Sequence, residues 1–89
     1  MTALSPEVIR SDEGVHAAYE QKMTIIAELV ADGLSGGSVR DRMARAWTML
    51  SILIGGLTVA RAMGSQELSE EIASAVKTAA ILAAGETAA

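Results

Sequence analysis

The hydrophobic pattern of the chain centres on one stretch, Ser38 to Met63, where apolar residues recur on almost every side of a helix. Its inner run, Ala46 to Ala60, contains no charged residue and lies between Arg45 and Arg61. A helix that is apolar all round needs neighbours on every side. The 89 residues of the chain supply only some of them. The pattern therefore predicts a buried helix in a domain that associates with another chain.

Three stripes of residues run along this predicted helix, at alternating spacings of four and three. The first apolar stripe contains Val39, Met43, Ala46, Leu50, Leu53 and Leu57, and the second contains Met49, Ile52, Gly56, Val59 and Met63. The third stripe, called the small-residue stripe below, contains Ala44, Thr48, Ser51, Gly55, Thr58 and Ala62. Small residues in a row let two helix axes approach closely. The stripe therefore favours packing against another helix over facing water.

Before the central stretch, the sequence predicts two helices. Ser5 and Pro6 are residue types typical of a helix start. The segment Ser11 to Gly14 is predicted to interrupt this first helix and make it short. Asp12 is predicted to cap the next, amphipathic helix, which ends at Gly33. So short a first helix suggests the tail of a helix that begins upstream.

After the central stretch, the sequence predicts one more helix. Gly64 is expected to end the central helix in a left-handed conformation, and Ser69 to cap the last helix. Residues 85–89 are expected to form a frayed tail. We therefore predict a single all-α domain, residues 1–89, with antiparallel helices: a short first helix and three main helices.

Composition supports the all-α prediction and excludes several function classes. The core must be built from Ala, Leu, Ile, Val and five Met, because the chain has no Phe, one Tyr and one Trp. Cysteine is absent and there is one His, so we predict no disulfide, metal site or cofactor. The net charge of −4 argues against nucleic-acid binding by this chain alone.

The chain is predicted to be cytoplasmic, without a membrane partner. Its N-terminal residues lack a basic segment followed by an apolar one, so they do not form a signal peptide. The uncharged run of the central stretch is about 15 residues, short of the roughly 20 that a spanning helix needs.

Candidate chemistry is sparse. We find no nucleophile with an adjacent base and no acid–base pair, so the chain is not expected to be an enzyme. Trp47 allows two interpretations: a core aromatic residue, or the wall of a cavity shared with Tyr19 and Met23. With Met43 and Leu50 from the neighbouring stripe, these residues form a candidate effector site.

Three arginines begin the central helix, where their charge opposes the helix dipole. Arg40, Arg42 and Arg45 are expected either to be solvated and paired with Asp41 and other acids, or to meet an acidic partner. The sequence leaves both alternatives open.

The chain resembles the C-terminal half of a TetR-type transcriptional repressor. The resemblance runs from Leu4 to Leu82. It rests on Ser11-Asp12 opening a helix that contains Tyr19, and on the sequence Gly-Gly-Leu-x-x-Ala-Arg-Ala from Gly55 to Ala62. It also rests on the turn in which Leu68-Ser69 leads into the last helix.

The resemblance implies a regulatory domain that binds an unknown small-molecule effector and forms a homodimer. The last two helices of each copy would form a four-helix bundle. The dimer interface would contain the small-residue stripe together with Ile72, Val76, Ala79 and Ala83. DNA would be bound only through a helix-turn-helix domain, which these residues do not include. The chain would then be a fragment of a longer repressor or a truncated reading frame. The alternative is a free-standing helical interaction or adaptor protein that assembles with another chain.

Overall fold

The computed structural model describes residues 6–85, with side chains described from residue 12. In this part of the chain there are three helices and no strand: α1 (Pro6–Asp32), α2 (Val39–Ala62) and α3 (Gln66–Ala83). The all-α prediction is confirmed. Of the predicted tail, residues 86–89 lie outside the described residues, and Gly85 forms a turn with a φ of 85°.

Helix α1 is continuous over 27 residues, so the prediction of a separate short first helix is wrong. Asp12 lies inside α1 and does not cap a second helix. The interruption was inferred from Ser11 to Gly14, whose residue types disfavour a helix interior. One glycine in a helix costs only about 1 kcal/mol. A break would leave up to four unpaired N–H groups and four unpaired carbonyls, and one glycine does not outweigh that loss.

Helix α2 begins where the sequence predicted. The Ser38 hydroxyl accepts a hydrogen bond from the Asp41 backbone N–H at 3.0 Å, which caps the helix. The helix ends at Met63, which is extended with φ −76° and ψ 140°. Gly64 is not among the described residues with positive φ, so the predicted left-handed end at Gly64 is wrong. An extended Met63 turns the chain away from the helix axis without a left-handed residue.

Helix α3 begins one turn earlier than predicted. Its cap is Ser65, whose hydroxyl accepts a hydrogen bond from the Leu68 backbone N–H at 3.2 Å. Ser69 donates its backbone N–H to the Ser65 carbonyl at 3.0 Å and lies within the helix, so the prediction that Ser69 is the cap is wrong. Both serines are followed by an acid within two residues, and the sequence pattern alone did not separate them.

Helix α2 lies between the other two helices. It contacts both, and no Cα of α1 lies within 8 Å of a Cα of α3 in the described residues. The molecule measures 54 × 40 × 18 Å, and its radius of gyration is 17.2 Å. A compact chain of this length would have a radius of gyration of about 12 Å. The three helices thus form a thin layer that encloses little volume.

The buried residues of the described chain are all alanines. They are Ala27, Ala31, Ala46, Ala60, Ala80 and Ala84. Every larger apolar side chain in residues 12–85 keeps part of its surface exposed. Alanine lets the helix backbones approach closely, but it buries little apolar area, so the free energy from the internal core is small.

Arg45 joins the connection between α1 and α2 to the end of α3. Its guanidinium donates to the backbone carbonyls of Ala84 at 2.8 Å, Ser35 at 2.9 Å and Gly36 at 2.6 Å. The Nε atom also lies 3.2 Å from the Asp41 carboxylate, although this contact lacks hydrogen-bond geometry. Arg45 therefore pairs with Asp41 as the first alternative predicts, but it is not solvated: its side chain is 19% exposed and its hydrogen bonds go to backbone carbonyls.

Gly56 of α2 packs directly against Val76 of α3. A Cβ atom added at Gly56 would collide with Val76 Cγ2 and would lie 2.9 Å from Cγ1 and 3.1 Å from Cβ of the same residue. The absence of a side chain at Gly56 therefore lets the two helices pack together.

Candidate effector groove and association face

A cleft of about 460 Å³, called the groove below, lies between α1 and α2. It is lined by Tyr19, Glu20, Met23, Thr24, Trp47, Leu50, Ser51, Ile54 and Gly55. On each helix these residues are three or four positions apart or adjacent, so they share one side of that helix. The volume is in the range of small-molecule sites, roughly 300 to 1,000 Å³.

The structure brings together four of the five residues predicted for the effector site. Tyr19 and Met23 of α1 face Trp47 and Leu50 of α2 across the groove. Met43 lies one turn before Trp47 and lines a different depression, of about 370 Å³. Whether any of these residues binds an effector stays a prediction.

Sequence reasoning missed five residues of the groove: Glu20, Thr24, Ser51, Ile54 and Gly55. Four of the five are adjacent to, or one turn from, Tyr19, Met23, Trp47 or Leu50, and Gly55 lies one turn from Ser51. Steps of one and four residues from those four predicted residues reach Glu20, Thr24, Ser51 and Ile54.

The groove is apolar on its walls and acidic at one position. Trp47 is 39% exposed and Tyr19 is 62% exposed, so both rings are accessible. The Thr24 hydroxyl donates to the Glu20 backbone carbonyl at 2.7 Å, which leaves the Glu20 carboxylate unengaged by this bond. Among the described residues, the lining of the groove contains no Lys and no Arg.

The small-residue stripe of α2 is exposed along its whole length. A Cβ atom added at Gly55 would meet no atom within 4 Å. The Thr48 hydroxyl donates to the Ala44 carbonyl at 2.9 Å, and the Thr58 hydroxyl donates to the Ile54 carbonyl at 2.7 Å. Both threonine donors are thus satisfied within α2, whereas the Ser51 hydroxyl has no hydrogen bond in the described residues and would need a partner from a helix packed on this side.

Large apolar side chains flank the small-residue stripe. Trp47, Ile54 and Val59 are 39%, 46% and 50% exposed. Together with the stripe they form what is called the association face below. This side of α2 is largely exposed, and its Trp47, Ser51, Ile54 and Gly55 also line the groove beside α1.

The four residues of α3 that were predicted for the dimer interface are only half-buried. They are Ile72, Val76, Ala79 and Ala83. Val76 packs on Gly56 within the chain, so part of the Val76 side chain is already in contact with α2. The role of these residues in a dimer stays a prediction.

Helix α2 is also long and apolar enough to cross a membrane. Its 24 residues have a mean hydropathy of 1.4 in the most apolar window, of which 11% is buried. The uncharged run between Arg45 and Arg61 is short for a span of roughly 30 Å at 1.5 Å per residue. The absence of a membrane partner stays a prediction.

The chain matches no family model, no curated protein and no solved structure. Its function must therefore be argued from the groove and the association face.

Proposed function

We propose that this chain is the dimerising and effector-sensing portion of a TetR-type transcriptional regulator and does not bind DNA by itself. The observation that carries the proposal is the incomplete core. Every buried residue in the described chain is Ala, and the large apolar side chains of α2 are partly exposed. An apolar helix that is so little covered needs a second chain to bury it.

The association face supports a second copy of the chain as that partner. Small residues allow close approach of an identical helix, and a two-fold axis needs one self-complementary surface. The Arg45–Ala84 contact joins the start of α2 to the end of α3, and the Gly56–Val76 contact joins a later part of α2 to an earlier part of α3. They support the antiparallel arrangement, in which α2 and α3 of two copies would form a four-helix bundle.

Effector sensing would follow from residues that the groove shares with the dimer interface. Ser51 and Gly55 line the groove and also belong to the small-residue stripe. Trp47 and Ile54 of the association face line the groove as well, so a partner helix on this face would lie along the α2 wall of the groove. A ligand in the groove would then change the free energy of dimerisation, and dimerisation would change ligand affinity by the same factor.

The test is the oligomeric state, measured by analytical ultracentrifugation. We expect the wild-type chain to be dimeric at micromolar concentration. The substitution Gly55→Leu adds a bulky side chain to the association face and should weaken the dimer at least about tenfold, or by about 1.4 kcal/mol. Gly14→Leu is the matched control, because Gly14 is a helical glycine of α1 that also has open space around it.

Two results would contradict the proposal. One is a well-folded wild-type monomer at micromolar concentration. The other is a Gly55→Leu dimer as tight as the wild-type dimer, which would show that the association face has been assigned to the wrong side of α2. A gel shift of operator DNA by this chain alone would refute the claim that it does not bind DNA.

A free-standing adaptor protein is the second candidate, and one observation favours it. Val15, Tyr19, Ile26 and Leu29 recur on one side of α1 and are 62%, 62%, 41% and 67% exposed. A dimer formed through α2 and α3 would leave this apolar side uncovered, whereas a different partner could bury it. An in-frame helix-turn-helix upstream of Met1 in the genome would favour the repressor, and a separate neighbouring gene would favour the adaptor.

A further inference from the structure

We infer that the outer side of α1 binds a helix of a different protein, and that this helix carries an acidic side chain at the centre of an otherwise apolar contact surface. The inference goes beyond the proposed function, because it depends neither on dimerisation through α2 nor on effector sensing. It follows from the spacing, the exposure and the single charge of one row of residues on α1.

This row of residues has the spacing of a coiled-coil seam, with alternating steps of three and four. The row, called the α1 seam below, contains Val15, Ala18, Lys22, Ile25 and Leu29. All five residues are exposed. Side chains at this spacing insert between the side chains of a second helix that runs alongside. The spacing therefore indicates that the partner is itself a helix.

The α1 seam lies on the side of α1 that faces away from α2. The buried residues of α1 are Ala27 and Ala31. At 3.6 residues per turn they lie about 140° and 180° around the helix from Lys22. The three large apolar side chains of the seam are 51% to 67% exposed, and no Cα of α3 lies within 8 Å of α1 in the described residues. An exposed apolar surface of this kind is typical of a protein–protein contact.

The charge of the α1 seam comes from Lys22, at its centre. The positions three and four residues away are all apolar: Ala18, Tyr19, Ile25 and Ile26. No neighbouring turn of the helix therefore provides a carboxylate, and no ion pair of Lys22 is found within residues 12–85. A carboxylate on the partner helix would be attracted to Lys22, and a basic side chain at the same place would be repelled.

A second copy of this chain does not fit the α1 seam. Lys22 lies midway between Val15 and Leu29, the first and last residues of the seam. A two-fold axis that pairs two whole seams brings the two Lys22 side chains close together, whether the helices run parallel or antiparallel. Like charges at such a contact are destabilising. Lys22 therefore disfavours self-pairing and favours a partner that supplies an acid.

Three synthetic helical peptides test the inference. Each has about three heptads with leucine at its seam positions, and the peptides differ only at the central seam position, which is glutamate, glutamine or lysine. Their binding to the 89-residue chain is measured by calorimetry. Lys22→Glu reverses the charge of the α1 seam. Lys77→Glu is the matched control, because Lys77 is the only other lysine, is exposed and lies on α3, away from α1.

We expect the wild type to bind the glutamate peptide about three- to tenfold more tightly than the lysine peptide, with the glutamine peptide between them. Lys22→Glu should reverse this order, because the seam then attracts the lysine peptide. Lys77→Glu should leave the order unchanged. This combination of results would support the inference.

Three results would overturn it. The first is the same order of affinities in the wild type and in Lys22→Glu, and the second is no binding of any of the three peptides. The third is a wild-type dimer that Leu29→Asp dissociates and Gly55→Leu does not, which would show that a second copy covers the α1 seam. Peptide binding and dimerisation are measured separately, so a failure of this inference is distinguishable from a failure of the proposed function.

Discussion

Replacing Gly56 with Ala tests how closely α2 and α3 pack. A Cβ atom at this position would lie 2.9 Å from Cγ1 and 3.1 Å from Cβ of Val76. These distances are shorter than van der Waals contact between carbon atoms. Val76 cannot easily turn its methyl groups away, because a β-branched side chain in a helix strongly prefers one χ1 rotamer. The substitution must therefore shift either the side chain or the helices.

Two opposing contributions determine the change in the free energy of unfolding. Ala in place of Gly in a helix interior stabilises the helix by about 1 kcal/mol. Overpacking against Val76 costs about 1 to 3 kcal/mol. Gly56→Ala should therefore range from neutral to about 2 kcal/mol destabilising in the wild-type background. In a Val76→Ala background both methyl collisions are absent and only the Cβ contact at 3.1 Å remains, so the same substitution should range from neutral to about 1 kcal/mol stabilising.

The measurement is urea unfolding, followed by circular dichroism, of the wild type, both single variants and the double variant. All four are compared at one protein concentration, because unfolding of an associating chain depends on concentration. The coupling energy between Gly56 and Val76 should be about 1 to 3 kcal/mol. If Gly56→Ala stabilises by about 1 kcal/mol in both backgrounds, the close contact between α2 and α3 does not exist.

Two further predictions concern Arg45 and the cap of α3, and both are measured by urea unfolding. Arg45→Met should lower the free energy of unfolding by about 2 to 4 kcal/mol, because it removes charge-assisted hydrogen bonds to backbone carbonyls from a mostly buried side chain. Arg40→Met, at an exposed position on α2, should change it by less than about 0.5 kcal/mol. A similar small loss for both variants would contradict the role of Arg45. Ser65→Ala should cost about 1 kcal/mol through loss of the cap, and Ser69→Ala should cost none of it. The reverse order would place the start of α3 at Ser69.

The groove shows how much of the candidate site could be predicted from the sequence. The cavity interpretation of Trp47, shared with Tyr19 and Met23, is the arrangement that the structure has. It could be predicted because residues three or four apart share one side of a helix. The position of Glu20 was not predicted, because the sequence does not show how far α1 is rotated toward α2.

The sequence by itself determined the all-α class and the bounds of α2, from the Ser38 cap to Met63. Both depend on local chemistry: the period of the apolar residues, and a hydroxyl that satisfies backbone N–H groups at a helix start. At Ser11 to Gly14 and at Ser69, local chemistry did not predict the structure correctly. There the preference of single residues for a break or a cap was outweighed by the cooperative extension of a longer helix.

Only the tertiary structure decided which sides of α2 are covered. Gly55 and Gly56 are adjacent in sequence, yet Gly56 packs on Val76 whereas Gly55 faces open space. The three stripes of α2 showed that no side of it was suited to water, but a periodic pattern does not specify which neighbour covers which side. The packing of α1 and α3 against α2 determines which sides are covered. This packing buries only alanines and leaves the association face of α2 exposed.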